Sequence, residues 1–179
     1  MRKLNMIFTA GMLLTFLAHA ILGSFQLMGV GNTALKTVAW ISLGFVAGHA
    51  AVGLVLTVQT LYARRKSGAS YFRQNALFWA RRLSGFSILF PLVFHLIIFR
   101  SSDADAYRLA VFNMGRLISQ ILLVVTVALH VIVNVKPTLI AFGVKSLKAI
   151  AADILVVLSI ILIFVGAAFV VYYLRWQAV

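Results

Sequence analysis

The chain has 179 residues, 63% hydrophobic and only 11% charged, with a net charge of +13 from 16 Lys+Arg against three Asp and no Glu. A water-soluble domain of this size needs far more charge to cover its surface. The absence of cysteine excludes disulfides, thiolate metal sites and iron–sulfur ligation by this chain.

Apolar runs of about 20 residues recur five times, the length that crosses a bilayer core of about 30 Å at about 1.5 Å per residue. The expectation is an all-α integral membrane bundle of five transmembrane helices, a single membrane domain over residues 1–179. The first span is read as 5–27 and contains His19. Arg2-Lys3, an apolar run and Ala18-His19-Ala20 mimic a signal peptide with its cleavage site, but the segment is better read as a retained helix. The second span, 36–61, carries His49 beside Gly44 and Gly48, a spacing suited to close helix packing or to admitting a flat group. The segment 62–82 is the most polar stretch. In it Tyr71, Phe72, Asn75, Phe78 and Trp79 recur at helical spacing. They predict an interfacial helix over 69–82 or an inward extension of the third span, acting as a membrane anchor or as a docking surface. The third span, 80–100, holds His95 one turn after Pro91, which removes a backbone donor and predicts a kink. The fourth, 112–135, holds His130. Thr15 and Thr126 each precede a histidine by four residues, where they would orient the ring or bond their own helix. The fifth, 150–174, has no histidine, and Asp153 reads as an interfacial residue at its start.

With these spans, eleven of the 16 basic residues fall on one side: Arg2, Lys3, Arg64, Arg65, Lys66, Arg73, Arg81, Arg82, Lys136, Lys145 and Lys148. The positive-inside rule then puts the N-terminus in the cytoplasm and the C-terminus outside. Clustered at span ends, the charge speaks for membrane orientation, and no nucleic-acid partner is expected. Trp40, Tyr62, Trp79, Tyr107, Tyr172, Tyr173 and Trp176 lie near span ends, as an aromatic belt should.

Each of the first four spans therefore carries one histidine. Ionisable residues inside a membrane are costly and default to a functional reading. No carboxylate sits mid-span to pair with them, whereas a neutral imidazole ligates metals well. Depth sorts them. His19 follows Lys3 by 16 residues and His95 follows Arg82 by 13, both on outward-running helices. That sets both about 20–24 Å from the inner end. His49 precedes Arg64 by 15 residues and His130 precedes Lys136 by six, a looser match that needs helix tilt. The result is an outer pair, His19 with His95, and an inner pair, His49 with His130. Haem b suits such bis-histidine sites, and with both axial positions filled the iron transfers electrons. Zinc, which wants four ligands or an open water position, suits them less. The competing reading is four isolated polar contacts between helices.

Arg82-Leu83-Ser84-Gly85 at the entrance to the third span resembles the R-x-S/T-G motif of the cytochrome b anchors of succinate dehydrogenase and fumarate reductase. His130 with Lys136 six positions on resembles that family's histidine with its basic follower. Five helices with histidines in the first four look like the diheme, one-subunit class. The resemblance implies two haem b groups (protohaem IX) with the same pairing. It also implies partners: a cytoplasmic flavoprotein subunit that interconverts succinate and fumarate, and an iron–sulfur subunit that exchanges electrons with the inner haem. The outer haem would then serve menaquinone. By the same resemblance, Arg82, Ser84 and Lys136 would hold haem propionates, a role charge complementarity also favours, while on the helical wheel Arg81 and Ser84 fall closer than Arg82 to the His95 face. The complex would sit in the cytoplasmic membrane of a prokaryote, alone or as a dimer. This chain departs from relatives that carry an acidic residue near the outer quinone site or two residues before the fourth ligand, where it has Ala128. Its first outer loop offers Ser24, Gln26 and Asn32 to a quinone, besides Lys36. Two alternatives stand beside this expectation. One is a diheme b subunit of another quinone-linked dehydrogenase, which typically places two histidines on one helix. The other is a haem-free small transporter or assembly protein.

Overall fold

A computed structural model describes residues 2–31, 34–67, 76–100 and 111–178 of the chain. The described residues form five helices: α1 (Arg2–Leu27), α2 (Leu35–Ser67), α3 (Ala76–Phe99), α4 (Met114–Ala141) and α5 (Leu147–Gln177). All five are long and apolar enough to cross a membrane, and little of any of them is buried inside the bundle. The outward faces carry large apolar side chains such as Leu14, Phe90 and Ile163, as hydrocarbon contact requires.

Local chemistry sets the helix ends. α1 and α4 both finish in a left-handed glycine, Gly29 (φ 98°) and Gly143 (φ 78°). After α1, Gly29 N–H donates to the Gln26 carbonyl and Val30 N–H to that of Phe25. After α4, Gly143 donates to Ile140 and Val144 to Leu139. These paired bonds satisfy carbonyls that a helix end otherwise leaves open, and only glycine turns there without steric cost. α4 starts at Asn113, whose side chain accepts from the Arg116 N–H. α4 continues through Pro137 to Ala141, so it outruns the end read from the sequence near Lys136. α3 begins at Ala76 and passes unbroken through the buried Pro91. Residues 76–82 are therefore an extension of the third span, while the rest of the expected 69–82 helix lies outside the described residues.

Close helix packing joins α1 to α2, α3 to α4, and α5 to both α1 and α4. Two hairpins, α1/α2 and α3/α4, are thus held together mainly by α5. Within the first hairpin the packing is reciprocal. The Phe8 ring fills the space where Gly48 lacks a Cβ, and the Phe45 ring does the same over Gly11. The two rings meet edge to face at 6.2 Å. Gly44 has open space around its missing Cβ, so of the two glycines beside His49 only Gly48 serves close packing. Helices in lipid associate through such small-residue contacts, because apolar burial drives little there. The second hairpin is antiparallel, with Arg81 Nε donating to the Val133 carbonyl at 3.3 Å and His95 meeting Gln120.

A buried cluster lies where α1 and α5 end and α4 begins: Leu27, Ile98, Phe112, Ala168, Phe169 and Tyr172. Phe112 and Phe169 stack at 6.3 Å, and Tyr172 meets Phe112 edge-on. Tyr172 is 2% exposed, so it is a core residue and not the belt residue its position suggested. Trp40 and Tyr62, at 58% and 70% exposed, fit a belt.

Candidate functional site

The four histidines meet across the interval between the two hairpins, where backbones do not pack closely. His19 on α1 and His95 on α3 face each other with ring centroids 5.9 Å apart and planes at 87°. A metal ion between two ring nitrogens would set nearly this spacing, since two bonds of about 2 Å and two ring radii of about 1 Å sum to about 6 Å. His49 on α2 and His130 on α4 lie within electrostatic range of each other, and Arg82 lies within range of both. The two pairs are those that depth alone had sorted. Among the described residues no three His, Asp or Glu side chains converge as a metal cluster, so the imidazoles are grouped by twos.

Three of the four rings have Nδ1 engaged by a side chain from the partner helix of the same hairpin. Thr9 Oγ1 lies 3.1 Å from His49 Nδ1, and its own proton goes to the Asn5 carbonyl at 2.8 Å. The hydroxyl must then accept, so His49 carries its proton on Nδ1 and leaves the Nε2 lone pair free. Ser84 Oγ stands 3.1 Å from His130 Nδ1 and donates to the Arg81 carbonyl. Asn134 Nδ2 gives one N–H to the His130 carbonyl at 2.8 Å and brings its second to 3.3 Å from this ring nitrogen, so the bonds around His130 do not fix its tautomer as those around His49 do. His95 Nδ1 lies 2.8 Å from Gln120 Oε1. His19 Nδ1 is buried with no partner among the described residues. A ligating histidine is normally held in this manner, with one nitrogen fixed by a neighbour and the other presented to the metal.

Thr15 and Thr126 do not do this work. Both bond carbonyls of their own helices, Thr15 to Gly11 and Thr126 to Leu122 and Leu123. Sequence spacing left both readings open, and the own-helix reading is the one the structure shows. The residues that reach the rings, Thr9, Ser84 and Gln120, come from the neighbouring helix. A polar residue opposite a histidine in an antiparallel hairpin was the signal available.

Arg82, Ser84 and Gly85 of the Arg82-Leu83-Ser84-Gly85 run all lie beside the inner pair. Arg82 extends toward α2, with Nη1 3.9 Å from where a Gly53 Cβ would stand, and its guanidinium covers the Phe78 ring at 5.3 Å. Ser84 bonds His130 itself. Gly85 lets the His130 ring lie against α3, since an added Cβ would sit 3.3 Å from Cε1. Of the other residues expected near haem carboxylates, Arg81 bonds the Val133 carbonyl and Lys136 is exposed. Arg82 is the cation the fold turns inward, although helical-wheel position favoured Arg81.

At the opposite end, Ser24 and Gln26 are buried at 2% and 3% exposure, and Ser24 bonds the Ala20 carbonyl. Asn32 lies outside the described residues. An open groove of about 450 Å³ runs between α3 and α4 there. Its walls are apolar, from Phe90, Phe94 and Ile97, with Asn113, Arg116 and Ser119 as the polar margin. Compared with family models, curated proteins and solved structures, the chain matches none.

Proposed function

We propose that this chain is a haem b-carrying membrane anchor that moves electrons between a cytoplasmic flavoprotein/iron–sulfur dehydrogenase and menaquinone. Succinate dehydrogenase or fumarate reductase is the dehydrogenase its motifs resemble. The observation that carries the reading is the meeting of four intramembrane histidines as two pairs across the hairpin interval. The donor sets fit haem: two neutral imidazoles per site, a free Nε2 lone pair where the neighbours fix the tautomer, and a spacing at the outer pair that suits one metal between two rings. Haem, when bound, supplies a one-electron carrier at each site.

The residues of this chain do the rest. His49 and His130 would hold the group nearer the basic end, with Arg82 as the cation for its carboxylates. Thr9 and Ser84 keep those two rings oriented. His19 and His95 would hold the second group, walled by Phe99 beside His95 at 5.2 Å. The apolar groove between α3 and α4 gives a lipid-soluble quinone an approach on that side. The basic end, rich in Arg64, Arg65, Lys66, Arg81 and Arg82, would face the cytoplasm and the soluble subunits.

The deciding experiment is a reduced-minus-oxidised absorbance spectrum of the purified full-length chain. A b-type band is expected. Its absence, with the protein folded, would overturn the haem reading and leave a haem-free transporter or assembly protein. The soluble subunits that co-purify then separate a succinate-linked complex from another quinone-linked dehydrogenase.

A further inference from the structure

We infer that Gln120 is a positioning residue that fixes the His95 tautomer and makes the two histidines of the outer pair chemically unequal. The inference rests on reading that pair as a bis-imidazole ligand set. Gln120 has no exposed surface, and a buried amide in a membrane helix is tolerated only when its groups are bonded. Its Oε1 lies 2.8 Å from His95 Nδ1, and its Nε2 donates to Ser119 Oγ at 3.0 Å. Ser119 Oγ in turn donates to the Arg116 carbonyl at 2.7 Å, the shortest link of the three.

The far end sets the direction of this chain. A backbone carbonyl only accepts, so the Ser119 hydroxyl spends its proton there and must accept from Gln120. That turns the amide so that Nε2 faces Ser119 and Oε1 faces His95. Oε1 only accepts, so His95 must donate from Nδ1. The proton is thereby fixed on Nδ1 and the Nε2 lone pair is presented toward His19. Three bonds with their donors aligned polarise one another, which raises the basicity of Nε2. His19 has no such support, because its Nδ1 is buried without a partner among the described residues. His95 is then the stronger ligand and His19 the weaker. Ser119 also lines the α3–α4 groove, so the chain of bonds runs from the groove wall to the His95 ring.

The test uses the full-length chain with ring-15N histidine, read by NMR for the tautomer of His95. The wild type should show the Nδ1–H form at His95. Gln120→Leu should lose it, Ser119→Ala should give a mixture, and Gln120→Glu, which keeps an accepting oxygen, should restore it. The Nε2–H form in the wild type would overturn the inference, as would an unchanged tautomer in Gln120→Leu. Should Gln120→Leu fail to fold, the wild-type and Ser119→Ala spectra decide. In haem-loaded protein, the low-spin electron paramagnetic resonance signal of one haem should shift in Gln120→Glu while the other stays. Equal shifts in both, or none, would contradict the assignment. A chain without haem would defeat the proposed function, yet the tautomer result would still stand or fall by itself.

Discussion

At the scale of single residues, the four histidines and their partners carry the proposal. His49→Ala and His130→Ala should each remove one haem and leave the other, halving the haem-to-protein ratio while the protein stays folded. Loss of the outer haem alone would contradict the pairing. The hydroxyl partners have a graded effect. Thr9→Val keeps the shape but removes the acceptor for His49 Nδ1–H, and Ser84→Ala removes the hydroxyl beside His130 Nδ1. Loss of such a supporting bond typically weakens metal affinity by about 10–100-fold. Haem retention during dilution should therefore fall at the inner site only. Thr15→Val and Thr126→Val, whose hydroxyls bond their own helices, should retain haem as the wild type does. His19, His49, His95 and His130 were legible in the sequence because polar residues stand out against an apolar run. Thr9, Ser84 and Gln120 were not assigned to the rings, because hydroxyls and amides are common in membrane helices and spacing within one helix says nothing about the helix opposite.

At the scale of elements, the α1/α2 hairpin depends on two aromatic rings seated over two glycines. Gly48→Leu forces the Phe8 ring out of its seat, and overpacking of this kind costs about 1–3 kcal/mol. A lowered thermal midpoint in detergent, with loss of the His49 haem, is the expected result. Gly44→Leu, one turn away with open space around it, should leave both unchanged. Equal sensitivity at the two glycines would refute the packing described. Both glycines looked alike in the sequence, since a small-xxx-small spacing does not say which member meets a neighbour. Helix ends were similarly approximate. The fourth span was read as ending at 135, yet α4 runs on through Pro137 to Ala141, just before the left-handed Gly143. A proline in a membrane helix costs one backbone bond, and neighbouring groups absorb that loss.

At the scale of the whole molecule, the unequal charge of the two ends predicts the orientation. The cysteine-free sequence allows single exposed cysteines to be introduced without background. Gln177→Cys should react with a membrane-impermeant maleimide in intact cells, and Lys145→Cys only after the membrane is opened. The opposite pattern would invert the assignment of inner and outer sites. It would also remove the reason for placing the soluble subunits at the basic end.

The sequence by itself determined that the chain carries five helices long enough to cross a membrane, and that His19 and His95 share a depth, with His49 and His130 matched only through helix tilt. Both follow from one-dimensional quantities, the length of apolar runs and the distance of a residue from a charged end. The tertiary structure decided what stands beside each histidine. It brought Thr9, Ser84 and Gln120 to the rings, turned Arg82 rather than Arg81 toward the inner pair, and buried Tyr172 in the core. The physical reason is that helix rotation about its own axis is set by packing, through contacts such as Phe8 on Gly48. In a helix apolar on every side, no hydrophobic stripe announces which face turns inward.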